Sequence, residues 1–147
     1  MKKKLAIMLL SLATIAATII GGFNYYSDQK EAQYEMTAVP FIEKVIPEIS
    51  KWDPEITKSY MSAKAREKNS VEVFNQTLMA LSNLGTLQEM AAPKFEEIYT
   101  SNTQTILSYT VDTKYSKGDA IFTLSLLDQD GVLEINSFNI QSEALAR

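Results

Sequence analysis

Apolar positions follow three successive rhythms along the chain. From Leu5 to Phe23 they run without a charge, from about residue 38 to residue 84 they recur at three- and four-residue steps, and from about residue 94 onward they alternate with polar ones. In that order, the rhythms predict a membrane-length or leader helix, amphipathic helices and half-buried strands.

The first segment is 19 residues long and follows Lys2, Lys3 and Lys4. At about 1.5 Å per residue it reaches roughly 28 Å, close to the ~30 Å hydrocarbon core. A cleaved leader has the same basic start, a shorter apolar core and a small-x-small cleavage site. Candidate sites here are imperfect: Ala17 is preceded two residues back by Ile15, and Gly22 by Ile20. Tyr25 and Tyr26 suit the headgroup level, with Asp28, Gln29 and Lys30 beyond them in water. The expectation is a retained anchor at residues 1–24, with a cleaved signal peptide as the alternative. Both place the rest of the chain, a helical connector over 25–39 and a single domain over 40–147, outside the cytosol. The membrane is thus an expected partner through residues 5–23.

Pro, Ile and Lys recur every seven residues as Pro40-Ile42-Lys44, Pro47-Ile49-Lys51 and Pro54-Ile56-Lys58. Seven residues are two helical turns, so the prolines share one side and the isoleucines lie about 200° round. Ala38, Ile42, Val45, Ile49, Trp52 and Ile56 then form one apolar stripe. Proline opens its own side of a helix, which predicts a bend with the isoleucines concave. We expect a helix over 28–50, a break, and a helix over 54–67 with Asp53 as cap and Pro54 at its first position. A further helix is expected over 70–84, capped by Asn69 with Glu72 reaching back, presenting Val71, Phe74, Leu78 and Leu81, and ended by Gly85 in a left-handed conformation.

From Pro93 the period is two. "PKFEEIYT" reads as a strand with its proline at the start. "TQTILSYTVDTKY" sets Leu107, Tyr109, Val111, Thr113 and Tyr115 on one face, and "AIFTLSLL" does the same for Ala120, Phe122, Leu124 and Leu126. "SKGD" and "DQDG" separate these from a last strand, "VLEINSFNI". There Leu133 and Ile135 point one way and Phe138 and Ile140 the other, which predicts a bulge or a sharp twist. The fold class is α+β: an N-terminal transmembrane or signal helix, then helices packed on a curved four-stranded antiparallel meander.

Composition narrows the chemistry. Outside the first four residues, 11 Lys and Arg face 18 Asp and Glu, a net charge near −7, which disfavours nucleic acid as a partner. The chain has no cysteine and no histidine. That excludes disulfides, Ser-His triads and Cys-His dyads, and leaves no residues for a conventional zinc site. No cofactor or metal is expected. Acid–base chemistry would fall to Asp, Glu, Tyr or Lys.

The element order, with the block "YTVDTKYSKGDAIFTLSLLDQDGVLEINSFNI", resembles the small cone-shaped domains of the nuclear-transport-factor-2-like or cystatin-like type over roughly residues 40–141. The cystatin inhibitory motif Gln-x-Val-x-Gly does not occur in this chain. Resemblance to ketosteroid isomerase-like enzymes would imply a pocket carboxylate with a tyrosine donor. Tyr109, Asp112 and Tyr115 are the right types, but a regular strand points Asp112 away from both tyrosines.

"DQDG" has the start of a calcium loop without its twelfth-position glutamate, and reads as a hairpin turn. "AKAREK" reads as a solvated helix end. Glu96 and Glu97 alternate across a strand and so are not expected on one face. Trp52, Tyr60, Tyr99, Tyr109 and Tyr115 are the candidates to line a cleft between sheet and helices. The functional expectation is a non-catalytic module binding an envelope protein or a small apolar ligand; the alternative is an enzyme with a carboxylate–tyrosine pocket.

Overall fold

A computed structural model describes residues 31–101 and 104–146. The expected anchor or leader lies outside these, and among the described residues no helix is long and apolar enough to cross a membrane. The chain divides into two compact units, residues 1–36 and 37–147. Of the first, only the helical residues 31–36 are described. All that follows concerns the second.

Within it, helix α1 covers residues 37–49 and runs without interruption through Pro40 and Pro47. Ala38, Ile42, Val45 and Ile49 are fully buried, as the stripe requires, and so is Ile46, which widens it. Trp52 follows at φ 59°, a left-handed turn that takes the chain out of the helix. Asp53 then caps α2 (Pro54–Tyr60), accepting from the Glu55 and Ile56 amides at 2.9 and 3.2 Å.

The helix expected to run to residue 67 stops seven residues earlier than that. Met61 adopts extended backbone and forms a parallel bridge with Ile135, and the Ser62 amide donates to the Ile135 carbonyl at 2.9 Å. The Ser62 hydroxyl then caps a separate helix, α3 (Ala63–Glu67). Pairing to the sheet edge here overrides local helix propensity. Helix α4 (Val71–Leu81) is capped by Ser70 rather than Asn69, with the Val73 amide 3.2 Å from Ser70 Oγ. Its inward side chains are Leu78 and Leu81 with half-buried Phe74; Val71, at the helix tip, is 62% exposed and not part of the core face. A 3-10 turn, Ser82–Leu84, leads to Gly85 at φ 82°.

The sheet is antiparallel and has five strands, one more than expected: β1 (Leu87–Met90), β2 (Lys94–Ser101), β3 (Gln104–Tyr115), β4 (Gly118–Gln129) and β5 (Val132–Gln141). β2 to β5 form the expected meander. β1 pairs with the Tyr115 end of β3 and β2 with the other end, so both share one edge of β3. The break between them falls at Ala91, Ala92 and Pro93, where proline has no amide to give.

The inner faces of β3 and β4 agree with the alternation: Leu107, Tyr109, Val111, Thr113, Tyr115, Ala120, Phe122, Leu124 and Leu126 are all buried. In β5 the register moves from Ser125↔Ser137 to Leu126↔Ile135, leaving Asn136 as an extra residue. This bulge returns Leu133, Ile135, Phe138 and Ile140 to the one inner face, opposite Asp128, Leu126, Leu124 and Phe122. Two apolar sides in sequence become one in space. A second bulge, between Phe95 and Glu97, sets both Glu96 and Glu97 toward the outer face: Glu96 accepts from the Thr110 hydroxyl at 2.7 Å, and Glu97 lies opposite Ser108. Alternation fails there for the same reason. Helix α4 meets the inner face where Phe74, Leu78 and Leu81 approach Phe138 and Ile140.

Candidate functional site

The Tyr115 end of the sheet carries an open groove of about 840 Å³ on its outer face. Strand register builds its floor. Asp112 lies opposite Ile121, and Ile121 opposite Gln141. The Ala91 amide donates to the Asp112 carbonyl at 2.8 Å and extends this row toward the β1 edge. A second row runs Glu89, Lys114, Asp119. Period-two geometry sends all these side chains outward, because the inner ones between them are the core. Ile121 is 46% exposed, a large aliphatic side chain left open beside fully buried Phe122.

The C-terminal segment forms one wall. After β5, Ser142 donates its hydroxyl to the Asp119 carbonyl at 2.5 Å and accepts from the Ala144 amide at 3.2 Å, capping the 3-10 turn Glu143–Leu145. Glu143 and Ala146 thereby join the lining with Met90 and Ala120. Four carboxylates, Glu89, Asp112, Asp119 and Glu143, stand around the groove against one ammonium. That ammonium, Lys114 Nζ, is 3.7 Å from Glu89 and exposed, so the pair neutralises little else. Among the described residues no group of three or more acidic side chains is gathered closely enough to hold a metal ion.

The five aromatic candidates do not line this groove. Tyr109 is 1% exposed and packs edge-on to Phe95, with ring centroids 5.6 Å apart. Tyr115 and Trp52 meet, at 5.5 Å between centroids, and the Trp52 indole donates to the Gly85 carbonyl at 2.9 Å. Tyr60 packs against Phe41, with Lys44 Nζ 6.0 Å from its ring centre. Tyr99 stands exposed on β2. Asp112, weighed as a pocket acid, is exposed on the face opposite Tyr109 and Tyr115.

The buried end of Tyr115 is a hydrogen-bonded chain. Ser50 Oγ donates its only proton to the Ile46 carbonyl at 2.7 Å, so the 2.8 Å contact with Tyr115 is a donation from the phenol. Burial pushes the Tyr115 phenol above its ordinary value of 10.0. The unfolded chain releases this proton first as pH rises. Stability from this group is full below about pH 10 and declines from there toward the raised folded value. Tyr115→Phe therefore flattens the alkaline limb of stability relative to the parent protein. Urea midpoints measured from about pH 9 to about pH 11 check this, and identical slopes in the two proteins would contradict it.

Sequence reasoning did not reach the groove. Its floor comes from four strands, one of them unforeseen, and only pairing register aligns Ala91, Asp112, Ile121 and Gln141. A weak signal was present: Ile121 is apolar at an outward position of a strand whose inward positions were already filled. Comparisons of the chain with family models and with curated proteins return no match.

Proposed function

We propose that this protein is a non-catalytic binding module, held outside the cytosol by its N-terminal apolar segment, with the outer-face groove as its docking surface. One observation carries the binding reading. The inner-face tyrosines are engaged in packing, while the opposite face keeps an open groove with Ile121 in its floor. Ile121 shares that concavity with Met90, Ala91, Ala120 and Ala146, and apolar surface gathered in a concavity with a few polar groups is where binding sites form. The reading is preferred to an enzyme because Asp112 and the tyrosines stand on opposite faces of one strand. The groove that Asp112 lines includes neither Tyr109 nor Tyr115. The location rests on the sequence: three lysines, an uncharged segment of membrane length, then two tyrosines.

Two measurements test the two halves. Asn139 is exposed on β5 and the chain has no cysteine, so Asn139→Cys gives a single label site. An impermeant maleimide with access to the outer surface of the cytoplasmic membrane labels it in intact cells; labelling only after that membrane is lysed would rule out the location. Crosslinking of the full chain in native membranes returns a constant partner. Recovery of the protein alone, in repeated trials, would rule out the binding role.

A further inference from the structure

We infer that the occupant of the groove is a short extended segment of a partner protein that carries basic side chains around an apolar one. The inference rests on the binding reading above and adds the chemistry of what is bound. The argument begins with shape. A drug-sized ligand commonly has 70–90% of its surface covered in its site. This groove is open to solvent, and its lining comes from β1, β3, β4 and the end of β5 with the C-terminal turn. Such a trough covers one side of a chain segment better than it encloses a small molecule.

Charge selects the segment. Glu89, Asp112, Asp119 and Glu143 line the groove together with the apolar side chains of Met90, Ala91 and Ile121. Asp112 and Ile121 are direct cross-strand partners, and Lys114 and Asp119 are the next outward pair on the same strands. A basic side chain near Asp112 or Asp119 therefore sits beside an apolar contact on Ile121. Basic and apolar residues two positions apart in an extended segment share one face and reproduce this spacing. An acidic segment, or an anionic lipid headgroup, would meet four like charges with one ammonium to offset them.

The test uses the full chain in phosphatidylcholine nanodiscs, with empty discs as the blank. The probes are three fluorescein-labelled synthetic nonapeptides with serine at every second position, so that the residues between share one face: lysine alternating with leucine there, lysine alternating with serine, or glutamate alternating with leucine. Fluorescence anisotropy should give saturable binding of the lysine–leucine peptide, at least tenfold weaker binding of lysine–serine, and none of glutamate–leucine. Asp112→Asn with Asp119→Asn should weaken the lysine–leucine peptide at least tenfold, and so should Ile121→Ser. Glu43→Gln with Glu72→Gln removes the same charge from α1 and α4, where both residues are exposed. It should change the affinity less than twofold. Circular dichroism melts verify that each variant is folded. Equal losses in the groove and helix variants would mean general attraction to an acidic protein and would overturn the inference. So would equal binding of lysine–serine, or no saturable binding by any peptide. If the peptides fail while crosslinking still returns a constant partner, the groove assignment falls and the binding module stands.

Discussion

Alanine in place of Phe122 lowers the free energy of unfolding by about 3–5 kcal/mol. Phe122 is fully buried in β4, between its register partners Val111 on β3 and Ile140 on β5. Its ring stacks on Phe138, with centroids 5.7 Å apart. Removing it deletes a large transfer term and leaves a void that neighbours anchored by two ladders cannot close. Domains of this size have about 5–15 kcal/mol in all, so the variant stands near the limit of folding. Ile121→Ala, one residue away on the outer face, costs about 1 kcal/mol or less, because much of that side chain already meets water. Urea titrations followed by circular dichroism compare the two. Equal losses would show that the inner and outer faces of β4 have been confused.

Gly85→Ala costs about 2–3 kcal/mol, from backbone and contact effects together. Gly85 sits at φ 82°, ψ −142°, a conformation a β-carbon disfavours. An added Cβ runs into Ser116 Oγ, which is fixed because it accepts the Thr86 amide at 3.0 Å. Movement is costly on both sides: the Gly85 carbonyl accepts from Trp52, and the Lys117 amide donates to the Leu84 carbonyl at 3.0 Å. Adding Ser116→Ala to Gly85→Ala removes the overlap and restores part of the loss, leaving the backbone contribution. Gly131→Ala separates that contribution, since Gly131 has φ 88° and open space around it; its cost is about 1 kcal/mol. Thermal melts of the four proteins check the order, and a Gly85→Ala variant as stable as the parent would refute the account.

Much of the fold was legible in the pattern because several elements bury one face only. The alternation in β3 and β4 and the α1 stripe are direct images of a core on one side. The misses in and beside the sheet share a cause: each lies where chain pairing departs from regular periodicity. β1 reads Leu-Gln-Glu-Met and carries a register shift between Leu87 and Glu89, so it has no alternation to detect. The bulge that the facing change in the last strand predicts is present, with Asn136 as its extra residue. Met61 leaves a helical pattern because Ile135, 74 residues later, offers it backbone partners. For the site the limit is stricter. Trp52 and Tyr115 were singled out as aromatic, yet their meeting, and the row from Ala91 to Gln141, depend on long-range register.

The two margins of the sheet are treated differently. Along β5, the bridge from Met61 and the amide of Ser62 occupy backbone positions that another chain could otherwise take. Along the opposite margin, Pro93 and the bulge at Glu96 interrupt the ladder, and Lys94, Glu96 and Glu97 place charge there. With both margins blunted, copies of the domain that collide at high concentration find no free ladder along which to zip into fibrils.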